Sequence, residues 1–395
     1  MKTPFELAQV IEQFEHQLPP GRLTTHHRRT LSAIHRCRTA ALGGHIDACD
    51  ECGHLRISYN SCRNRHCPKC QGLNKEMWII QQQDQLLPTT YFHVVFTIPH
   101  ELNPLCLHQP ALMYNLLFKA AWYTLDTFAR DPKWLGAKTA ATMVLHTWGQ
   151  NLSLHPHLHC IVPNGGLCAN GQWQLPRRGN ARFLYPVAAM RKVFKAFFLK
   201  QLKATIATGS ITLPKEIPAN GKAFYLWKEG LYKKDWIIFT KKPFAGVQNV
   251  VKYLARYSHR VAITNGRILD IDQHNVRFSY KDYAHGAKQK EMTLTGAQFL
   301  HRFCLHFLPP RFRKIRQFGL LANACKRKEL ALARKALGLK QRQLLSKIQR
   351  KTLAKERLFQ RQTDYCPCCG QGKMVIIGVF APNKDPPMMA LPYLQ

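Results

Sequence analysis

The sequence predicts an α+β protein in three parts: a small cysteine-rich N-terminal module, a central antiparallel sheet with helices, and a basic helical C-terminal region. Three observations carry this expectation. Paired cysteines crowd the stretch from Cys37 to Cys70. Strand-like runs ended by turn residues alternate with long helical periods between about residues 89 and 300. From Lys326 to Arg361, thirteen Lys and Arg stand against two Glu. A chain of 395 residues at about 150 residues per domain suggests two or three domains. The expected boundaries are 1–88, 89–310 and 311–395.

Lys and Arg total 58 against 22 Asp and Glu, a formal net charge of +36, while 46% of residues are hydrophobic and 10% aromatic. That composition builds a core and excludes a wholly disordered basic chain. A charge of this size concentrates polyanions, and phosphate backbones are the expected partners. No apolar run approaches the roughly 18 residues of a membrane span. Met1-Lys2-Thr3-Pro4-Phe5-Glu6 lacks the apolar core of a signal peptide. The expected setting is the cytoplasm, in association with the nucleoid and without a membrane partner.

Fourteen cysteines in a reducing compartment read as metal ligands rather than disulfides. Cys49-Asp50-Glu51-Cys52-Gly53 and Cys67-Pro68-Lys69-Cys70 are two knuckles with fourteen residues between them. Each such turn aims two thiolates at one point, and two turns complete the tetrahedron that Zn²⁺ accepts. Cys37, His45, Cys62 and His66 share the stretch. They either raise the set to eight ligands and two zincs or play structural parts, and the pairing is not readable from spacing. A cation with four protein ligands has no open position, so this zinc is structural. Arg56, Arg63, Arg65 and Lys69 interleave with the ligands, and the module is expected to meet DNA phosphates through Arg63 and Arg65.

Further along, Tyr91 to Ile98 is β-branched and aromatic, a buried strand ended by Pro99. Pro110 to Arg130 carries Leu112, Leu116, Leu117, Ala120 and Leu125 at helical spacing. Thr142 to Trp148 reads as a strand, Gly149-Gln150-Asn151 as a turn, and His155 to Val162 as the returning strand. With a period of two, His155, His157 and His159 share one face while Leu158, Cys160 and Val162 take the apolar one. His157 and His159 therefore offer two imidazoles to one cation. An antiparallel hairpin would bring His146 opposite them, giving three ligands with positions left open. Residues 190–206 read as a helix, and Ala223–Trp227 and Trp236–Thr240 as strands. In Phe244 to Arg260, Val247, Val250, Val251 and Leu254 form a helical stripe, with Tyr253 and Tyr257 four apart on its flank among Lys252, Arg256, His259 and Arg260. Arg311 to Arg316 leads into the basic helices, and Cys366-Pro367-Cys368-Cys369 is a further knuckle for which Cys304, Cys325 or His301 are candidate partners.

His157-Leu158-His159 followed by Tyr253-Leu254-Ala255-Arg256-Tyr257, behind a cysteine-rich module, resembles the HUH superfamily of single-strand DNA endonucleases. Within it the match is to two-tyrosine insertion-sequence transposases that move by a rolling-circle route. CRTAALGGH, YNSCRNRHCPKCQ, HTWGQNLSLHPHLHCIVPNGG and VVKYLARYSHRVAITNGRI carry the resemblance over roughly residues 10–325. It implies that the central sheet is an HUH domain in which His157, His159 and a third ligand, for which His146 is suitably placed, hold Mg²⁺ or Mn²⁺. Tyr253 and Tyr257 would be nucleophiles forming a 5′-phosphotyrosine bond with single-stranded transposon ends and target. Arg256 and Arg260 would track the backbone, and a host helicase would supply the strand. Imidazoles suit borderline cations better than Mg²⁺, so the cation's identity comes from the resemblance. Two rivals belong to other classes: a transposase with a carboxylate triad, against which the scarcity of acids speaks, and a non-catalytic zinc regulator that binds duplex DNA.

Overall fold

The computed structural model describes residues 4–19, 21, 23–177, 184–244, 249–250, 260–282, 285–340, 345–359 and 365–384. In chain order the N-terminal part comprises α1 (Leu7–Phe14), α2 (Thr25–His35), β1 (Gly44–Cys49), β2 (Leu55–Tyr59) and α3 (Gln71–Gln85). There follow β3 (Tyr91–Thr97), α4 (Asn103–His108), α5 (Pro110–Arg130), β4 (Ala140–Trp148), β5 (Leu154–Pro163), β6 (Gly166–Leu167), β7 (Trp173–Gln174), α6 (Val187–Ala207), α7 (Gly221–Lys233) and β8 (Ile238–Phe244). The remainder is β9 (Ile268–Ile271), β10 (Asn275–Asp282), β11 (Lys288–Thr295), α8 (Gly296–Cys304), β12 (Ile315–Gly319), α9 (Lys326–Ala336), α10 (Lys347–Phe359) and β13 (Met374–Phe380).

The central sheet is five-stranded and antiparallel, in the order β12-β4-β5-β3-β8. Its two faces differ in chemistry because the strands alternate. One face sends Phe92, Val94, Phe96, Met143, Leu145, Leu158, Cys160 and Val162 into the main core with Leu117, Phe118 and Ala121 of α5 and Phe194 and Phe198 of α6. The other face carries the histidines. Its far end is capped by a small apolar cluster of Tyr91, Ile161 and Val250, with Trp78 of α3 packed against it.

Sequence-based expectation and structure part company at several points. Ala223–Trp227 lies inside α7, not in a strand. Phe224, Trp227 and Leu231 recur at helical spacing and line a cavity against α6. Residues 268–295 form a separate three-stranded sheet, β11-β10-β9, rather than extending the central one. The boundary at 88 is blurred, since Leu7, Ile11 and Phe14 of α1 share a core with Phe278 of β10 and Phe299 and Phe303 of α8. The boundary at 311 fails in two places: β12 is an edge of the central sheet, and β13 pairs antiparallel with β1. The C-terminal region is therefore not purely helical, although α9 and α10 are basic helices as expected.

Candidate metal centres and their setting

The two sequence-adjacent cysteine pairs separate in space. Cys67 and Cys70 join Cys37 and Cys62, while Cys49 and Cys52 join Cys366 and Cys369; in each group the four sulfurs lie within 4.8 Å of one another. This corrects the expected pairing of Cys49/Cys52 with Cys67/Cys70. The physical reason is β-sheet geometry: β1 carries Cys49 to the end where β13 begins, opposite Met374, so the nearest second knuckle is the C-terminal one. Cys304 and Cys325 are not its partners. Cys304 is buried in the α1–α8 core, and Cys325 Sγ donates to the Gly319 and Ala322 carbonyls. His301 is absent from both groups.

Each cluster has the contacts a thiolate set needs. In the first, Cys37 and Cys70 sulfurs are 3.1 Å apart, and Cys62 N donates to Cys37 Sγ and Asn64 N to Cys62 Sγ, both at 3.5 Å. The hydrogen bond with Cys62 pushes the Cys37 thiol down to about 7, and Cys70 is lowered as well, chiefly by Cys37. In the second, Cys49–Cys369 and Cys52–Cys366 are 3.7 and 3.6 Å apart. Amides of Cys52, Cys368 and Gly372 point at Cys49, Cys366 and Cys369. The Gly372 and Gln371 amides bring Cys369 down to about 6. Four converging sulfurs in each group, with Cys37, Cys70, Cys366 and Cys369 lowered and Cys52, Cys62 and Cys67 raised by their neighbours, fit Zn²⁺. His45 and His66 belong to neither cluster. His45 sits 3.6 Å from Asp47, which also accepts from Arg56 at 2.8 Å. His66 Nε2 accepts from Leu308 N and its ring packs on Phe307.

The third cluster is imidazole. In the β4–β5 register His146 stands opposite His157, and the ligand nitrogens of His146, His157 and His159 all fall within 4.8 Å of one another. His157 Nε2 and His159 Nε2 are 3.1 Å apart, with His157 Nδ1 on the His155 carbonyl at 2.6 Å. Burial brings His157 down to about 4 and holds His159 well below the usual imidazole range, with His146 the next cause. Burial thus favours the neutral, cation-ligating form of His157 and His159 at physiological pH. With His157 Nδ1 donating to the His155 carbonyl, its Nε2 is the nitrogen that faces His159 Nε2 and the centre, and a donor set of converging nitrogens fits a divalent cation with positions left open.

One functional residue escaped the sequence reading. His93 of β3 is buried, and its Nε2 lies 2.9 Å from His159 Nδ1. That contact fixes which nitrogen of His159 faces the centre. A histidine in an otherwise apolar strand is the only local signal, and its meaning depends on β3 pairing with β5, which places Val95 opposite His159. The pocket over these rings, about 370 Å³, is lined also by Trp148, Gln150, His155, Lys241 and Arg260, and no carboxylate lines it among the described residues. Arg260 Nη2 donates to Gln150 Oε1 at 3.4 Å. Arg63 is exposed, and Arg65 donates to the Phe312 carbonyl. Tyr253, Tyr257 and Arg256 lie outside the described residues.

Two four-cysteine clusters and a sheet face of converging imidazoles, in a chain of strongly positive charge, define an α+β protein with two candidate zinc sites and a third group able to hold a cation. A family model described as "Putative transposase" (Y2_Tnp) matches residues 140–329, and one described as "Transposase zinc-binding domain" (Zn_Tnp_IS91) matches residues 6–98. The chain is 44% identical over 371 residues to "Putative transposase y4qJ" of Sinorhizobium fredii, covering 92% of each chain. To the transposase for insertion sequence element IS801 of Pseudomonas savastanoi pv. phaseolicola it is 28% identical over 316 residues, 78% of this chain and 73% of the other. Among solved structures, the conjugative relaxase TrwC in metal-free complex with oriT DNA aligns over 63% of this chain and 72% of that one, at 12% identity and a TM-score of 0.23. Nothing about activity follows from so loose a superposition. The chain belongs to the IS91/IS801 family of insertion-sequence transposases, and its N-terminal part is a zinc-binding domain.

Proposed function

We propose that this transposase nicks and rejoins single-stranded DNA through a 5′-phosphotyrosine bond in rolling-circle transposition. The observation that carries the reading is the convergence of His146, His157 and His159 on one sheet face, together with both anchors of the tyrosine segment. Val250 is buried against Tyr91 and Ile161 on that face, and Arg260 lines the histidine pocket. Tyr253 follows Val250 by three residues and Tyr257 precedes Arg260 by three.

His146, His157 and His159 would hold a divalent cation, Mg²⁺ or Mn²⁺, which when bound supplies Lewis-acid polarisation of the scissile phosphate. His93 orients His159, and the His155 carbonyl orients His157. Arg260 and Lys241 are the cations of the pocket that offset phosphate charge. A phenolic oxygen of Tyr253 or Tyr257 attacks phosphorus, the bond to the 3′-oxygen breaks, the phenolic proton is released and the 3′-oxygen takes one up. The new phosphodiester conserves the bond energy, so a 3′-hydroxyl of another strand reverses the step without ATP. Two tyrosines let two strands be held at once. A carboxylate-triad mechanism finds no acid among the described residues of the pocket lining.

The test is incubation of the full chain with a labelled single-stranded oligonucleotide and Mn²⁺. The wild type should give an SDS-stable adduct whose peptide, read by mass spectrometry, contains Tyr253 or Tyr257. The Tyr253→Phe/Tyr257→Phe variant should bind the oligonucleotide and give neither adduct nor nick. Normal nicking by that variant defeats the tyrosine assignment, and a wild type that binds duplex DNA without any adduct points to the non-catalytic regulator.

A further inference from the structure

A long cationic depression lies beside the histidine pocket and takes no part in the chemistry above. It runs along α3, bounded by the loop before β12 and the start of α10. One arm, about 540 Å³, is lined by Arg63, Arg65, Met77, Trp78, Lys347 and Arg350. A second arm, about 740 Å³, continues past Asn115, Arg316 and Lys326. The arms share Trp78, Gln81 and the stretch Arg311, Phe312, Arg313 and Ile315. Among the described residues no Asp or Glu lines either arm. Among the described residues none of these Lys or Arg side chains forms an ion pair with a carboxylate. Arg65 donates to the Phe312 carbonyl, Arg316 to Asn115 Oδ1, and Lys314 to the Arg260 carbonyl.

Like charges gathered this way repel one another. Burial, then Arg65, pushes Lys314 down to about 8, and burial followed by Arg313 lowers Arg316. Two of the arginines also sit in the left-handed backbone region, Arg63 at φ 54° and Arg311 at φ 60°, a conformation that costs energy in a non-glycine residue. An arrangement that is strained and self-repelling when empty is the one a polyanion relieves.

We propose that this groove is the track along which the single strand of DNA approaches the histidine pocket. One feature selects a single strand over a duplex, and two more set the groove beside the histidine pocket. The floor is not uniformly polar: Trp78, Met77 and Ile315 lie among the cations, and unpaired bases stack on such surfaces while a duplex presents only its phosphates. Trp78 also packs against the Val250 cluster, so the floor adjoins the segment that leads to Tyr253. The groove opens towards the imidazoles through Lys314, whose ammonium holds the backbone of Arg260, a residue of the histidine pocket. The direction of travel rests on the proposed nicking function; the occupancy of the groove does not.

The experiment uses the full chain carrying Tyr253→Phe and Tyr257→Phe, so that binding is measured without chemistry. A single-stranded oligonucleotide with 5-iododeoxyuridine at successive positions is photo-crosslinked, and the peptides are mapped by mass spectrometry. Crosslinks should fall in residues 71–85 and 311–317. In parallel, fluorescence anisotropy follows affinity against salt for the single strand and its duplex. Replacing Arg311, Arg313, Lys347 and Arg350 by Gln should weaken single-strand binding about a hundredfold and flatten the salt slope by roughly 3, at about 0.7 per phosphate contact. The four-Lys version should restore most of both. Trp78→Ala should cost roughly fivefold to a hundredfold and Trp78→Phe much less. Crosslinks confined to other surfaces, or an unchanged slope in the Gln variant, overturn the proposal. So does duplex binding tighter than single-strand binding through the same residues. Failure of the nicking reading would show instead as wild-type protein that crosslinks in the groove yet forms no tyrosyl adduct.

Discussion

Replacing Cys366 and Cys369 by serine should free the C-terminal strand while leaving the central sheet intact. β13 is held to β1 by six register pairs, from Gly44–Phe380 to Cys49–Met374, but its side chains contribute little. Val375, Ile376, Ile377 and Val379 are 50–76% exposed, and of the seven residues only Phe380 is buried. One buried ring contributes about 1.5–3 kcal/mol, and the ladder hydrogen bonds net about 0.5–1 kcal/mol each. Ordering seven residues costs about 7–14 kcal/mol of backbone entropy, so without its metal the strand sits within a few kcal/mol of release. Zinc changes the balance by tying the Cys49/Cys52 knuckle to Cys366 and Cys369, so that release of the strand would have to break Zn–S bonds. The assays are zinc content and hydrogen exchange read by mass spectrometry. Bound zinc should fall from two per chain to one, and exchange of β13 amides should accelerate by about a hundredfold or more, with β3, β4 and β5 unchanged. Loss of one zinc with β13 protection intact would refute the argument, because side-chain packing would then suffice.

Other outcomes follow from the same coordinates. Lys314, held near 8 against an ordinary 10.5, is protonated at neutral pH in both folded and unfolded chains, at a folded-state penalty of about 3 kcal/mol. That penalty is complete below pH 8 and fades as pH rises to 10.5, so Lys314→Met should raise denaturant stability at pH 7 and change little at pH 10.5. His157 is depressed to about 4, so protons compete with the cation and with folding as pH falls from 6.5 to 4. Mn²⁺ affinity by electron paramagnetic resonance should decline across that window, and His157→Ala with His159→Ala should abolish binding while both zincs remain. A Cβ at Gly296 would overlap the Phe14 ring, so Gly296→Ala should lose about 1–3 kcal/mol by overpacking, seen as a lower melting temperature.

What the sequence reveals and what it hides divide along the range of the interaction. β5 was legible because alternation is local: His155, His157 and His159 on one face against Leu158, Cys160 and Val162 needs only a period of two. α5 and α6 were legible from the helical spacing of residues such as Leu116, Leu117 and Ala120. The partner of each cysteine pair was not, because a knuckle specifies two ligands and leaves the other two to whatever the fold brings near. His93 stayed hidden for the same reason, since only the pairing of β3 with β5 sets it beside His159. The misassigned stretch Ala223–Trp227 shows a local ambiguity instead. Aromatic and branched residues favour strands, while the longer run to Lys233 has a helical period that five residues are too short to display.

The shared thiolate cluster has a consequence for biosynthesis. Cys49 and Cys52 leave the ribosome long before Cys366 and Cys369, and at about 5–20 residues per second the interval is roughly 15–60 s. Throughout it the early pair is half a binding site at the end of a sheet whose third strand does not yet exist. A chain that ends before Cys366 leaves Cys49 and Cys52 without their two partner thiols and β1 without β13. Closure of this four-sulfur set therefore waits until Cys369 has been made.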